Sequence, residues 1–111
     1  MLSSVDICSR MGVTSDDPKP NERLGISANV LSGLQPLNAL RHRPEGGTCG
    51  WYIWAGEQLS DDPYFFVSLH AEHLSEWCPS LLPYLGLPAG FRVLLAPGVE
   101  DVWFDEALLE V

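Results

Sequence analysis

The stretch from Gly50 to Phe66, which opens Gly50-Trp51-Tyr52-Ile53-Trp54-Ala55-Gly56, constrains the fold of this chain more than any other. Successive side chains of a strand point to opposite faces, so Trp51, Ile53 and Ala55 share one face and Tyr52 and Trp54 the other. Two tryptophans, a tyrosine and an isoleucine suit a pleated, partly buried surface. Gly56 ends the strand. Asp61 and Asp62 precede Pro63, which reads as an N-cap followed by proline at the first helical position. The stretch is therefore predicted to run from strand through an acidic turn into a short helix that carries Phe65 and Phe66 inward. The rest of the chain is expected to pack on it.

Its neighbours can be placed from punctuation and alternation. Leu24 to Leu31 reads as a first strand, broken by Ser32-Gly33. Leu37 to Arg43 alternates, with Leu37, Ala39 and Arg41 on one side and Asn38, Leu40 and His42 on the other. The turn Pro44-Glu45-Gly46-Gly47 delivers it into Gly50-Trp51, as in a hairpin. Ser68 reads as the cap of a helix bearing Leu69, His73 and Trp77 at helical spacing, stopped by Pro79. A second short helical turn follows, with Leu81, Leu82 and Leu85 inward. Phe91 to Ala96 is the clearest late strand. Pro97-Gly98 suits the centre of a type II turn, and Glu100 to Asp105 returns as its partner. Residues 106 to 111 form a short amphipathic end. Strands early and late with helices gathered between them give an α+β fold: one domain, a mainly antiparallel sheet and short helices.

Residues 1 to 23 are expected to form a flexible N-terminal arm ahead of a domain at 24 to 111. The run Thr14 to Glu22 has two prolines and no apolar side chain, so its burial does not offset its ordering entropy. Val5 or Ile7 could still add an edge strand. No apolar run approaches the roughly 18 residues of a spanning helix, so no membrane role is expected. No secretory signal is visible at the N-terminus. Three cysteines, Cys8, Cys49 and Cys78, suit a reducing cytoplasm as small hydrophobes, with a Cys49–Cys78 bridge left open as an alternative.

Charge is distributed unevenly. Residues 1 to 43 hold four acidic and five basic side chains, whereas residues 44 to 111 hold eleven acidic side chains and Arg92 as the single base. The chain carries a net charge of −9. Nucleic-acid binding needs clustered Lys and Arg, and this balance argues against it. A one-sign field instead favours encounter with a basic protein partner.

Catalytic motifs are sparse. His70 and His73, beside Glu72 and Glu76, have metal-ligand chemistry, and a small metal-dependent enzyme built on His70 and His73 is the main alternative reading. A closed zinc site needs four ligands, so no metal and no cofactor are expected. There is no Gly-x-Ser-x-Gly, no cysteine in a basic setting and no phosphate loop. The acidic pairs Asp61-Asp62 and Glu100-Asp101 read as solvated turn residues. What remains is aromatic residues set among acids: Trp51 and Trp54 near Glu57, Asp61 and Asp62, and Trp103 between Asp101 and Asp105. Core packing claims some of them. Exposed tryptophan beside carboxylates is also how a binding hot spot reads, which makes Trp51, Trp54, Glu57, Asp61, Asp62, Glu100, Asp101, Trp103 and Asp105 the candidate partner-binding residues.

The Gly50-Trp51 pair, the acidic run to Phe66, the segment Leu85-Gly86-Leu87-Pro88-Ala89-Gly90-Phe91-Arg92 and Glu100-Asp101-Val102-Trp103-Phe104-Asp105 together resemble the thirty-third numbered immunity family of bacterial polymorphic toxin systems, earlier catalogued as a domain of unknown function. The likeness runs from about Gly25 to Val111. It implies a small cytoplasmic, non-enzymatic antidote that binds a cognate protein toxin and blocks it. It supplies no catalytic residues. An accessory domain binding some other protein is the remaining alternative.

Overall fold

In the computed structural model, residues 4–57, 62 and 64–110 are described. Helix α1 (Ser4–Met11) is followed by strands β1 (Arg23–Ser27), β2 (Leu37–Arg41), β3 (Thr48–Ala55) and β4 (Phe66–His70), the one-turn helix α2 (Leu74–Trp77), and strands β5 (Phe91–Ala96) and β6 (Val99–Phe104). Short 3-10 segments occupy Ala28–Ser32, Ala71–His73, Pro79–Tyr84 and Glu106–Leu109. The six strands form one sheet in the order β4-β1-β3-β2-β5-β6. Every pairing is antiparallel except β1 with β3. The fold is α+β, as expected.

The Trp51-to-Ala55 alternation is realised. Trp51, Ile53 and Ala55 join the main core, together with Leu24, Ile26, Ala39, Phe91 and Val93 from the other strands. Helix α1 and the 70s–80s segment supply Ile7, Cys8, Leu74, Leu81 and Leu87 to the same core. On the other face Tyr52 and Trp54 belong to a smaller cluster with Leu40, Leu108, Phe65 and Phe66.

Two backbone features set the centre of the sheet. Gly50 has φ +92°, and a Cβ there would collide with the carbonyl of His42 across the β2–β3 hairpin. Only glycine takes that conformation without strain, so the Gly-Trp pair marks a bend that feeds Trp51 into the core. Beside it, Arg41 is 1% exposed. Its Nε donates to the Cys49 carbonyl at 2.9 Å, and its Nη1 to the carbonyls of Asp16 at 2.7 Å and Leu87 at 2.8 Å. The guanidinium also stands over the Trp51 ring, 5.6 Å from its centroid. One buried cation thus joins the N-terminal segment, β3 and the loop before β5.

Several expectations are corrected. The segment read as a loosely held arm contains α1, with Ile7 4% and Cys8 1% exposed, rather than an edge strand. Backbone bonds hold the rest of that segment: Asp16 N–H to the Gly86 carbonyl, and Ala71 and Glu72 N–H to the carbonyls of Glu22 and Pro20. Two well-placed apolar side chains outweigh the polar, Pro-rich run that follows them. The first strand stops at Ser27, whose hydroxyl accepts from Asn29 N–H and opens a 3-10 segment. The expected helix carrying Phe65 and Phe66 is absent from the described residues: Tyr64 and Phe65 lie in a turn and Phe66 begins β4. Asp61 and Pro63 of that reading lie outside the described residues. The helix expected from Ser68 is likewise strand through His70, because β1 offers residues 66–70 a full antiparallel ladder, and tertiary pairing overrides the helical spacing of Leu69, His73 and Trp77.

Candidate surface at the β5–β6 edge

Strand β6 is the last strand of the sheet, paired with β5 alone. Pro97-Gly98 makes the two-residue connection, Gly98 with φ +75°. This turn pairs Ala96 with Val99, Leu94 with Asp101 and Arg92 with Trp103. Alternation sends Glu100, Val102 and Phe104 to the helix-covered face, where Val102 packs on the main core, and Asp101 and Trp103 to the other.

The two faces engage their acids differently. On the covered face Glu100 accepts from the Tyr84 hydroxyl and, at 2.6 Å, from Arg10 of α1. The hydrogen bond from Tyr84 and then that from Arg10 hold the Glu100 carboxyl below its ordinary range. Burial, then the bond to Glu100, pushes the Tyr84 phenol up to about 12. On the other face the Arg92 guanidinium stands 5.7 Å from the Trp103 ring centroid and donates to Asp105 at 3.0 Å. Asp105 also accepts from Ala107 N–H at 3.1 Å, capping the 3-10 segment Glu106–Leu109. That segment turns Leu108 back onto Leu40 and Trp54.

The sequence-derived set is therefore split. Trp51 is 1% exposed, its indole N–H donating to the Leu85 carbonyl, and Trp54 is 5% exposed. Neither is the exposed tryptophan expected beside the acids, because both strand faces at β3 are covered. The Trp54 indole N–H lacks a hydrogen-bond partner among the described residues. Glu57 is exposed just beyond β3, and Asp62 is exposed with its carboxylate accepting from Tyr64 N–H at 2.9 Å. Asp61 lies outside the described residues. Glu100, Asp101 and Trp103 lie on β6, Trp103 being 40% exposed, and Asp105 follows it directly; Asp101, Trp103 and Asp105 share one face and Glu100 takes the other.

Residues not singled out from the sequence complete this edge. Val99 is 47% and Phe104 51% exposed. Arg92, read as a lone base and as the end of the Leu85-to-Arg92 segment, is the partner of Trp103. A two-residue turn at 97–98 fixes that pairing arithmetically, so the signal was available. Elsewhere on the open face His42, Thr48, Tyr52 and Phe66 line a hollow of about 540 Å³. His70, Glu72 and His73 bring possible metal-ligating atoms within 4.8 Å of one another. Cys8, Cys49 and Cys78 are free thiols, each buried, and burial raises the pKa of each. Among the described residues no helix is long and apolar enough to cross a membrane.

Comparison with known proteins gives one family match: the family model of the Imm33-like domain aligns with residues 3–105. The match begins within the segment expected to be an arm and ends just past β6. Neither the curated proteins nor the solved structures give a significant match.

Proposed function

The chain belongs to the Imm33-like domain family, and on that premise we propose that it is an immunity protein, a cytoplasmic antidote that binds a cognate bacterial toxin and occludes it. Binding rather than catalysis is its activity. Its docking surface is the outer edge of β6 with the turn that follows.

The observation that carries this reading is the exposure of Val99, Trp103 and Phe104 on an edge strand whose other exposed residues are acidic, namely Glu100 and Asp101. An edge strand offers unpaired backbone groups, a ready template for an extended partner segment. The surrounding acids accelerate encounter with a basic toxin. Large apolar side chains then supply most of the holding energy. Trp103 serves here as an apolar anchor steadied by Arg92, so the partner's contact is with its free face and edge.

Binding kinetics against the toxin encoded beside the gene test this reading. Asp101→Asn should slow association, with the difference from wild type shrinking at high salt. Trp103→Ala should speed dissociation, costing about 2 kcal/mol or more, as expected of an aromatic hot spot. Wild-type kinetics for both folded variants would move the interface elsewhere. No binding by any neighbouring toxin would overturn the immunity reading itself.

A further inference from the structure

At the sheet edge opposite β6, strand β4 ends at His70 and the chain turns through Ala71–His73. The turn is clamped at two consecutive residues, Ala71 N–H on the Glu22 carbonyl at 2.8 Å and Glu72 N–H on the Pro20 carbonyl at 3.1 Å. On this fixed backbone a ring nitrogen each from His70 and His73 and a carboxylate oxygen of Glu72 all lie within 4.8 Å of one another. The two rings stack with centroids 6.2 Å apart and planes 28° off parallel.

His73 has carboxylates at both of its nitrogens. Nδ1 is 2.8 Å from Glu76 Oε2, and Nε2 is 3.6 Å from Glu72 Oε1. A neutral imidazole has one N–H. When Nδ1 donates it to Glu76, the Nε2 lone pair faces the Glu72 carboxylate, and two electron-rich atoms confront each other. A cation between them removes the conflict. A metal ion at this point engages all three groups.

We propose that His70, Glu72 and His73 form a surface site for a divalent transition-metal ion such as zinc, with Glu76 holding the His73 ring so that Nε2 coordinates. Two imidazoles and a carboxylate are donors that borderline metals accept. A carboxylate behind a ligating histidine is the usual support of such a site. Ligands about 2.1 Å from zinc stand about 3.4 Å apart in a tetrahedral site, so small rotations of these three exposed side chains close it. The adjoining hollow of about 390 Å³, lined also by Arg23, Ser68 and Leu69, leaves room for water at the fourth position. The sequence set Glu72 and Glu76 beside the two histidines but gave no closed four-ligand site. The strand-to-turn geometry brings in Glu72 as the third. Such an ion ties the end of β4 to the turn that follows it and raises the stability of the loaded chain.

The test is calorimetric titration of chelator-treated protein with zinc, paired with cobalt absorption spectra and thermal melts. Expected are one equivalent bound, a higher melting temperature with metal, and a cobalt spectrum without thiolate charge transfer. The double variant His70→Ala with His73→Ala should lose binding and the melting shift while staying folded. Glu76→Gln should keep the stoichiometry and weaken affinity by about tenfold or more. Absence of binding to the folded chain, unchanged affinity in the double variant, or a thiolate band from the cysteines would each overturn the site.

Discussion

On the helix-covered face of the sheet, Trp51, Ile53 and Val93 are at most 1% exposed, while their strand neighbours Tyr52, Arg92 and Leu94 on the other face keep some contact with solvent. The covered face is sealed by α1, α2 and the 3-10 segment Pro79–Tyr84, and it is locked by the buried Arg41. The open face is roofed only at one end, where Leu108 and Phe65 close over Leu40 and Trp54. The difference separates two tasks in one small domain. One face holds the buried core, and on the proposed reading the other face and the β6 edge are left to meet a partner.

Loss of Arg41 should have the largest effect. Arg41→Met keeps the bulk but orphans the carbonyls of Cys49, Asp16 and Leu87, at a cost on the order of 3–5 kcal/mol in urea unfolding. A cost below about 1 kcal/mol would mean that those carbonyls find water, and that the covered face is wetter than it looks. Ile53→Ala comes next, at about 3–4 kcal/mol for a fully buried aliphatic side chain. Ile7→Ala should cost about 2 kcal/mol, less because a terminal helix relaxes around the gap. A near-zero value there would return residues 1–23 to the status of a loose arm.

Smaller effects probe the boundary between the two regions. The folded state lowers the Glu100 pKa, so this carboxylate adds stability above its unfolded pKa and loses it as the pH falls through the folded one. Glu100→Gln should therefore melt below wild type at neutral pH, with the two converging in acid. A gap that stays constant across the acid range would sink this account. At the alkaline end Tyr84 acts with the opposite sense: its raised pKa adds stability that is lost as pH climbs from about 10 towards 12. Trp103→Ala should have the smallest effect on stability, about 1 kcal/mol or less, because what it loses is an exposed ring under a guanidinium. A larger cost would show that this edge is structural and remove the ground for reading it as a docking surface.

Local pattern carried much of this architecture. The β2–β3 hairpin, the Pro97-Gly98 turn and the division of Trp51, Ile53 and Ala55 from Tyr52 and Trp54 follow from alternation and turn chemistry alone. What escaped depends on partners distant in the chain. Ser68 to His70 open the helical spacing of Leu69, His73 and Trp77, yet residues 66–70 become strand because β1 pairs with them. Residues 4–11 are too short to read as a stable helix in isolation and are held by the core. Arg41 alternates correctly with Leu37 and Ala39, yet nothing in the local pattern says that four carbonyls from three separate segments will enclose it. For the surface, the residues along β6 were legible, while the burial of both Trp51 and Trp54 required knowing that β3 is central and covered on both faces.

The parallel pairing of β1 with β3 has a consequence for how the chain is made. Both strands that flank β1, β3 and β4, lie after it in the chain, so β1 leaves the ribosome before either partner has emerged. The gap from Ser27 to the end of β3 at Ala55 takes on the order of a few seconds at about 5–20 residues per second. Meanwhile β2 and β3 can close their own hairpin within microseconds of emerging, on the order of 1–10 μs. Strand β1 is therefore a late guest in a sheet already begun without it. During that wait Leu24 and Ile26 are exposed, and this is the interval in which a chaperone, or a neighbouring nascent chain, has its best opportunity to capture the protein.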